Sequence, residues 1–353
     1  RFWCPRSWCP QRSWTHEDPR IAAPRLSVTD RAGRWATLQV GGGGRAVSDV
    51  AAELGASWHA INDAVIAYGQ ALLDADHDRV GQVSALGVDE VLFARIGEWR
   101  TQAWSTSIVD VGSGQLLDVI PGRSSGGLCD WLTAQPEGWL DAIRWAVLDL
   151  SGPWRLAFDT MLPTAAQVAD PFHLVKLANQ RVDEVRRRVQ NDTMGHRGRK
   201  NDPLYRCRRL LTKADERLDE KGRTKLLGLL AAGDPKGEVR MAWHAKETIR
   251  GIYAIDDPDD AVEFVARLGH DLQDDSCPPE VRQLGRTIVR WHQQISAWHR
   301  ARVSNGPTEG ANNLIKRVKR VAFGFRRFAH YRIRALLYAG RPNWDLLATI
   351  TPR

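Results

Sequence analysis

The chain has 353 residues, 43% of them hydrophobic, and a formal net charge of +8. That length allows two or three domains with substantial cores, and the composition excludes a disordered chain. With 50 Lys and Arg against 42 Asp and Glu, the basic excess is placed unevenly, which points to a polyanionic partner and not to a uniform basic coat.

The first 40 residues are rich in Arg, Pro and Trp, with little periodicity. Cys4 and Cys9 sit there as half of a zinc-ribbon-like segment (1–40), since a tetrahedral structural site needs four ligands and usually takes them as two close pairs. His16 is a third candidate, but three ligands do not close a structural site. No Zn2+ is expected unless a cysteine pair lies upstream of Arg1, where the missing Met suggests a lost segment. The remaining cysteines, Cys129, Cys207 and Cys277, are scattered, which excludes a secreted disulfide scaffold and fits a reducing cytoplasm. No apolar run reaches the ~18 residues of a membrane span, and no export signal opens the chain.

The glycine run 41–44 reads as a flexible hinge by composition. Beyond it, Val47, Val50, Ala51 and Leu54 fall at helical spacing, Gly55 permits a turn, Ser57 can cap a second helix, and Ile61 and Val65 give that helix an apolar face. Residues 45–75 are therefore read as a helix-turn-helix, whose second helix would expose Trp58, His59, Asn62 and Asp63 to a DNA groove. An ordinary helical hairpin has the same periodicity.

From residue 83 the texture changes to strands: 85–93, 104–110, a turn at 112–114, and 115–120. A helix over 126–142 leads to a buried strand at 144–150, then a short helix (153–161) and a fifth strand (165–170). This order predicts an α/β fold, a ribonuclease-H-like mixed sheet flanked by helices, with the first part of its catalytic core at 83–176. Residues 177–303 read as an all-helical insertion, with breaks at 195–203, 233–237, 256–259 and 274–279. A last core helix begins near Pro307 and opens a basic C-terminal segment (304–353).

Phosphoryl transfer on DNA needs two divalent cations about 3.5–4 Å apart, and hard cations take oxygen ligands. Asp89, read at the end of the first strand, and Asp149, at the end of the fourth, would project from neighbouring strands. Glu309 supplies a third carboxylate near a helix N-terminus, and it is the only acid between 301 and 344. Around it lie Lys316, Arg317, Lys319, Arg320, Arg326 and Arg327, interleaved with Phe323, Phe325 and Phe328. A salt bridge to a local arginine is the competing use of Glu309. Glu90 points to the opposite strand face. A second basic cluster includes Arg186, Arg187 and Arg188 and suggests phosphate contacts.

These residues carry a resemblance. The segments GVDE (87–90), VLD (147–149), LPTAAQVADPFHLVK (162–176) and SNGPTEGANNLIK (304–316), followed by AFGF (322–325), resemble the ISL3 family of insertion-sequence transposases. The likeness runs from Cys4 to Arg334, although the family's cysteine-rich opening is only half present. It implies a DDE triad of Asp89, Asp149 and Glu309 holding two Mg2+ or Mn2+ ions, with Asp170 the alternative second acid. It also implies double-stranded DNA partners (terminal repeats and target), a homodimer in a synaptic complex, and a place on cytoplasmic nucleoid DNA. A DNA-binding protein that has lost catalysis and a nuclease of the same fold are the alternatives.

Overall fold

The apolar runs Ala85–Val88, between Ser84 and Asp89, and Trp145–Leu148, between Arg144 and Asp149, suit central strands covered on both faces. In the computed structural model, which describes residues 2–14 and 18–352, these segments lie in a five-stranded sheet. Two short strands, β1 (Phe2–Trp3) and β2 (Ser13–Trp14), pair antiparallel at the start. Helices α1 (Asp30–Thr37), α2 (Val47–Glu53) and α3 (Trp58–Ala75) follow. The sheet then opens with β3 (Ala85–Ile96), β4 (Thr101–Asp110) and β5 (Gln115–Pro121). Helix α4 (Ser125–Thr133), β6 (Trp145–Leu148), α5 (Gly152–Met161) and β7 (Ala166–Ala169) complete it.

The strand order is β5-β4-β3-β6-β7. Strands β4 and β5 are antiparallel, whereas β6 runs parallel to β3 and to β7, so the sheet is mixed, an order consistent with a ribonuclease-H-like fold. Beyond it come α6 (Pro171–Met194), α7 (Pro203–Leu211), α8 (Glu220–Gly233), α9 (Glu238–Gly251), α10 (Pro258–Asp271) and α11 (Pro279–Ala301). The chain closes with α12 (Gly306–Val321) and α13 (Phe328–Ala339). The break between α7 and α8 carries no glycine or proline in its first residues, so periodicity alone did not reveal it.

The chain divides into two compact units. One contains residues 1–83, 88–135 and 306–353. Within it, Ile61, Val65, Tyr68 and Leu72 of α3 pack with Ala36, Val40 and Val50 against Ile333 and Leu337 of α13. The other side of α13, through Tyr331, Ala335 and Leu336, joins Ala311 and Ile315 of α12 over Val91, Phe93, Val109, Leu116 and Val119 of the sheet. The second unit contains residues 84–87 and 136–305. There α6 packs on α9 and α11, α10 on α11, and α11 on β7.

Three readings differ from the structure. The glycine run does not form an open hinge. Leu38–Gly42 is a π-helical turn, and a Cβ on Gly41 would lie 3.0 Å from Leu337 and Trp344 carbons. Composition cannot separate glycine used for freedom from glycine used for close approach. Asp89 is not at a strand end, because β3 continues through Ile96. The helix expected over 126–142 stops at Thr133, and a 3-10 turn (Leu140–Ala142) follows after Pro136 and Gly138, the latter at φ 73°.

Candidate functional site

In the first unit, the side chain of Asp89 is held from two directions. Its Oδ1 accepts from the Glu90 backbone N–H (2.8 Å) and its Oδ2 from Asn312 Nδ2 (2.8 Å), while its carbonyl accepts from Ser107 Oγ (3.1 Å). Asn312 lies on α12, whose buried stripe is Thr308, Ala311, Asn312, Ile315 and Val318. Glu309 is in the first turn of α12, three residues before Asn312 and so on a neighbouring part of the same face. It is exposed and forms no ion pair among the described residues. Glu90 alternates away from Asp89 and meets Arg123 at 3.4 Å.

In the second unit, the parallel register pairs Ala85 with Trp145, Leu86 with Ala146 and Gly87 with Val147. Asp149 directly follows β6, two residues beyond Val147, just as Asp89 stands two residues beyond Gly87. Asp149 lines a groove of about 690 Å³ with His173, Lys176, Arg181, Arg286 and Arg290. Arg181 pairs with Glu184, whereas Lys176, Arg286 and Arg290 form no ion pair among the described residues. Arg286 and Arg290 were not singled out from sequence. Their four-residue spacing on α11 was a signal, but one shared by any solvated helix face.

Asp170 has a different environment. It is 3% exposed and caps α6, with Oδ2 accepting from the His173 backbone N–H (3.2 Å) and lying 2.9 Å from His173 Nδ1. Its Oδ1 accepts from the Asn305 backbone N–H at 2.8 Å. Both oxygens are therefore committed to the chain itself, and one secures the residue directly before α12.

Among the described residues, no three His, Cys, Asp or Glu side chains are gathered as a metal site. The acids at 89, 149 and 309 offer only hard oxygen donors, which suit Mg2+ or Mn2+. Cys4 and Cys9 are free thiols in the loop between β1 and β2, with Cys9 Sγ 3.4 Å from the Gln11 carbonyl. His16 lies outside the described residues.

Of the basic side chains expected at DNA, Lys316, Arg317, Arg320, Arg326 and Arg327 are exposed. Three other expectations need correction. Lys319 is half-buried and donates to the Leu92 carbonyl, and burial followed by the nearby Lys316 lowers its pKa. Arg186 is only 5% exposed and bonds Asp183, because its helix face packs inside the helical unit. Asn62 is 8% exposed, unlike Trp58 and His59 at the exposed start of α3, because it lies one turn along toward the buried stripe. Arg187 is exposed but also pairs with Asp183, and Arg188 bridges Glu238 (2.9 Å) and Glu280 (2.8 Å). Ser57 caps α3 by accepting from the Ala60 N–H.

A mixed five-stranded sheet flanked by helices, several of them with exposed cations, defines an α/β protein. The chain belongs to the ISL3 family of DDE-type transposases, which matches residues 86–335. It is 27% identical over 290 residues to the transposase for insertion sequence element IS1557 of Mycobacterium tuberculosis, covering 76% of this chain and 63% of that relative. It is 25% identical over 228 residues to the transposase for IS1001 of Bordetella parapertussis, covering 63% of this chain and 54% of that protein. The chain thus spans less than two thirds of the length of these relatives. No helix among the described residues is long and apolar enough to cross a membrane.

Proposed function

We propose that the chain acts as an insertion-sequence transposase that cuts DNA at element ends and joins the freed 3′ ends to target DNA. The observation that carries this reading is the shared offset of two acids. Asp89 and Asp149 each stand two residues beyond the register-paired residues Gly87 and Val147 of adjacent parallel strands. The bond from Asn312 to Asp89 brings the helix bearing Glu309 to the same strand. Asp89, Asp149 and Glu309 would hold two Mg2+ or Mn2+ ions, which supply activation of the attacking oxygen and neutralisation of the leaving one. Without cations three carboxylates repel one another, so separated side chains are expected before ions bind.

In the first step a water oxygen bonds to phosphorus as the bond from phosphorus to the 3′ oxygen breaks. This leaves a 3′-hydroxyl and a 5′-phosphate. In the second step that hydroxyl attacks a target phosphodiester in the same in-line manner. Lys176, Arg286 and Arg290 beside Asp149 suit the backbone of the strand being cut. The exposed cations of α12 and of the 322–327 turn, with Trp58 and His59, suit flanking duplex DNA, the helices α2 and α3 acting as a helix-turn-helix. A homodimer pairing two ends is the assembly this chemistry calls for. Asp170 is a positioning residue in this reading.

The test is cleavage of a DNA fragment bearing element ends with Mg2+ or Mn2+, comparing wild type with Asp89→Asn, Asp149→Asn, Asp170→Asn and Glu309→Gln. Loss in the first, second and fourth is expected. An active Asp149→Asn beside a dead but folded Asp170→Asn would reassign the second acid. Binding without cleavage by the wild type under either metal would replace the enzyme with a DNA-binding protein.

A further inference from the structure

A cleft of about 920 Å³ opens in the first unit between the start of α3 and the connection from α12 to α13. Its size is within the range of sites that take a ligand of nucleotide dimensions. Three features of its lining are unexplained by packing. Phe323 is 94% exposed and sits at φ 53°, a left-handed conformation rare for a bulky residue, followed by Gly324 at φ 97°. The backbone thus holds an aromatic ring outward where burial would ordinarily draw it in. Trp58, across the cleft on α3, is 47% exposed.

The third feature is Arg334. This side chain on α13 lines the cleft yet is only 3% exposed, and its Nε has no hydrogen-bond partner. It forms no ion pair among the described residues, and its guanidinium carbon lies 5.9 Å from the centroid of the Phe325 ring. A buried guanidinium without an acid calls for an acceptor brought by a ligand. Burial already lowers its pKa to about 10, in line with missing compensation. Asp63 also lines the cleft and offers an acceptor, so donor and acceptor are both present, as the edge of a base requires and a bare phosphate does not.

We infer that this cleft binds one unpaired nucleotide of a DNA strand, its base against Phe323 and its acceptor atoms toward Arg334, with Arg326 and Arg327 on the adjoining phosphates. The inference rests on the DNA reading proposed above. A fully paired duplex keeps its bases stacked on one another and could not use the exposed ring, whereas an extruded base can stack on any aromatic side chain.

The experiment measures equilibrium binding of the full chain to a paired duplex of arbitrary sequence and to the same duplex carrying one unpaired aminopurine nucleotide. The expected result is tighter binding of the second by roughly tenfold, the scale of one base stacking on an aromatic ring, with a rise in aminopurine emission as the base leaves its duplex neighbours. Phe323→Ala, at an exposed position, should erase both the preference and the emission change while leaving paired-duplex affinity intact. Arg334→Met should reduce the preference in protein whose circular dichroism matches wild type. Equal binding of the two duplexes, or a preference that survives Phe323→Ala, overturns the nucleotide site alone. Failure to bind either duplex overturns the DNA reading and this site with it.

Discussion

The side-chain amide of Asn312 donates to Asp89 Oδ2 at 2.8 Å, linking residues 223 positions apart and fixing α12 against β3. Asn312 is 2% exposed, so water cannot readily take the place of Asp89 as the acceptor for its amide. Asn312→Ala should cost about 1–2 kcal/mol of stability, and Asn312→Asp more, because it sets a second carboxylate beside the first. Denaturant midpoints of the two variants check this; an Asn312→Asp protein as stable as wild type would show that the bond does not hold the helix in place.

Asp170 is expected to behave as a structural acid. Asp170→Asn replaces one acceptor oxygen with a donor and so opposes either the Asn305 or the His173 N–H, at a cost of about 1–3 kcal/mol. Its thermal midpoint should fall, while Mn2+ affinity measured by calorimetry stays near that of wild type. An unchanged midpoint together with lost Mn2+ binding would make Asp170 a ligand instead.

The glycines of the first unit should divide by surroundings. At Gly44 the backbone has φ 64° and a Cβ would lie 2.7 Å from the Tyr338 ring, so Gly44→Ala is expected to destabilise by about 1–3 kcal/mol. Gly126, inside α4 with open space around it, should gain about 0.5–1 kcal/mol on replacement by Ala. Chemical denaturation of both proteins reads the contrast, and a tolerated Gly44→Ala would restore the hinge reading.

Burial raises the Tyr331 pKa to about 12, against a smaller opposing effect of Ser105, whose hydroxyl is 3.2 Å away. The folded value lies above the unfolded value of about 10, so the stability it contributes is complete below pH 10 and is lost as pH rises toward 12, on the order of 2 kcal/mol. Urea melts between about pH 9 and 12, the range around that titration, should show this loss in wild type and a shallower one in Tyr331→Phe.

If the exposed cations of α12 contact phosphates, Lys316→Ala and Arg320→Ala should each lower the slope of log affinity against log salt by about 0.9. Arg186→Ala should leave the slope alone and instead reduce stability, since Arg186 is buried against Asp183. Fluorescence anisotropy titrations over a range of salt read the slopes. A slope lowered by Arg186→Ala would return that residue to the DNA surface.

Local pattern was sufficient for much of this chain. The buried runs of β3 and β6, the left-handed Gly195 that ends α6 and the Ser57 cap of α3 are set by neighbours within a few residues, so spacing and composition make them legible. The lone acid at 309 among cations is likewise a one-dimensional fact. Tertiary structure decided what depends on distant partners. Only packing shows that Lys319 and Arg186 are spent on a carbonyl and a carboxylate, and that the glycines at 41–44 admit Leu337, Tyr338 and Trp344. Only the fold shows that Asp170, marked like Asp149 in sequence, is enclosed by Asn305 and His173. A side chain's type is written in the sequence, but whether its charge faces water or a partner is settled by residues far along the chain.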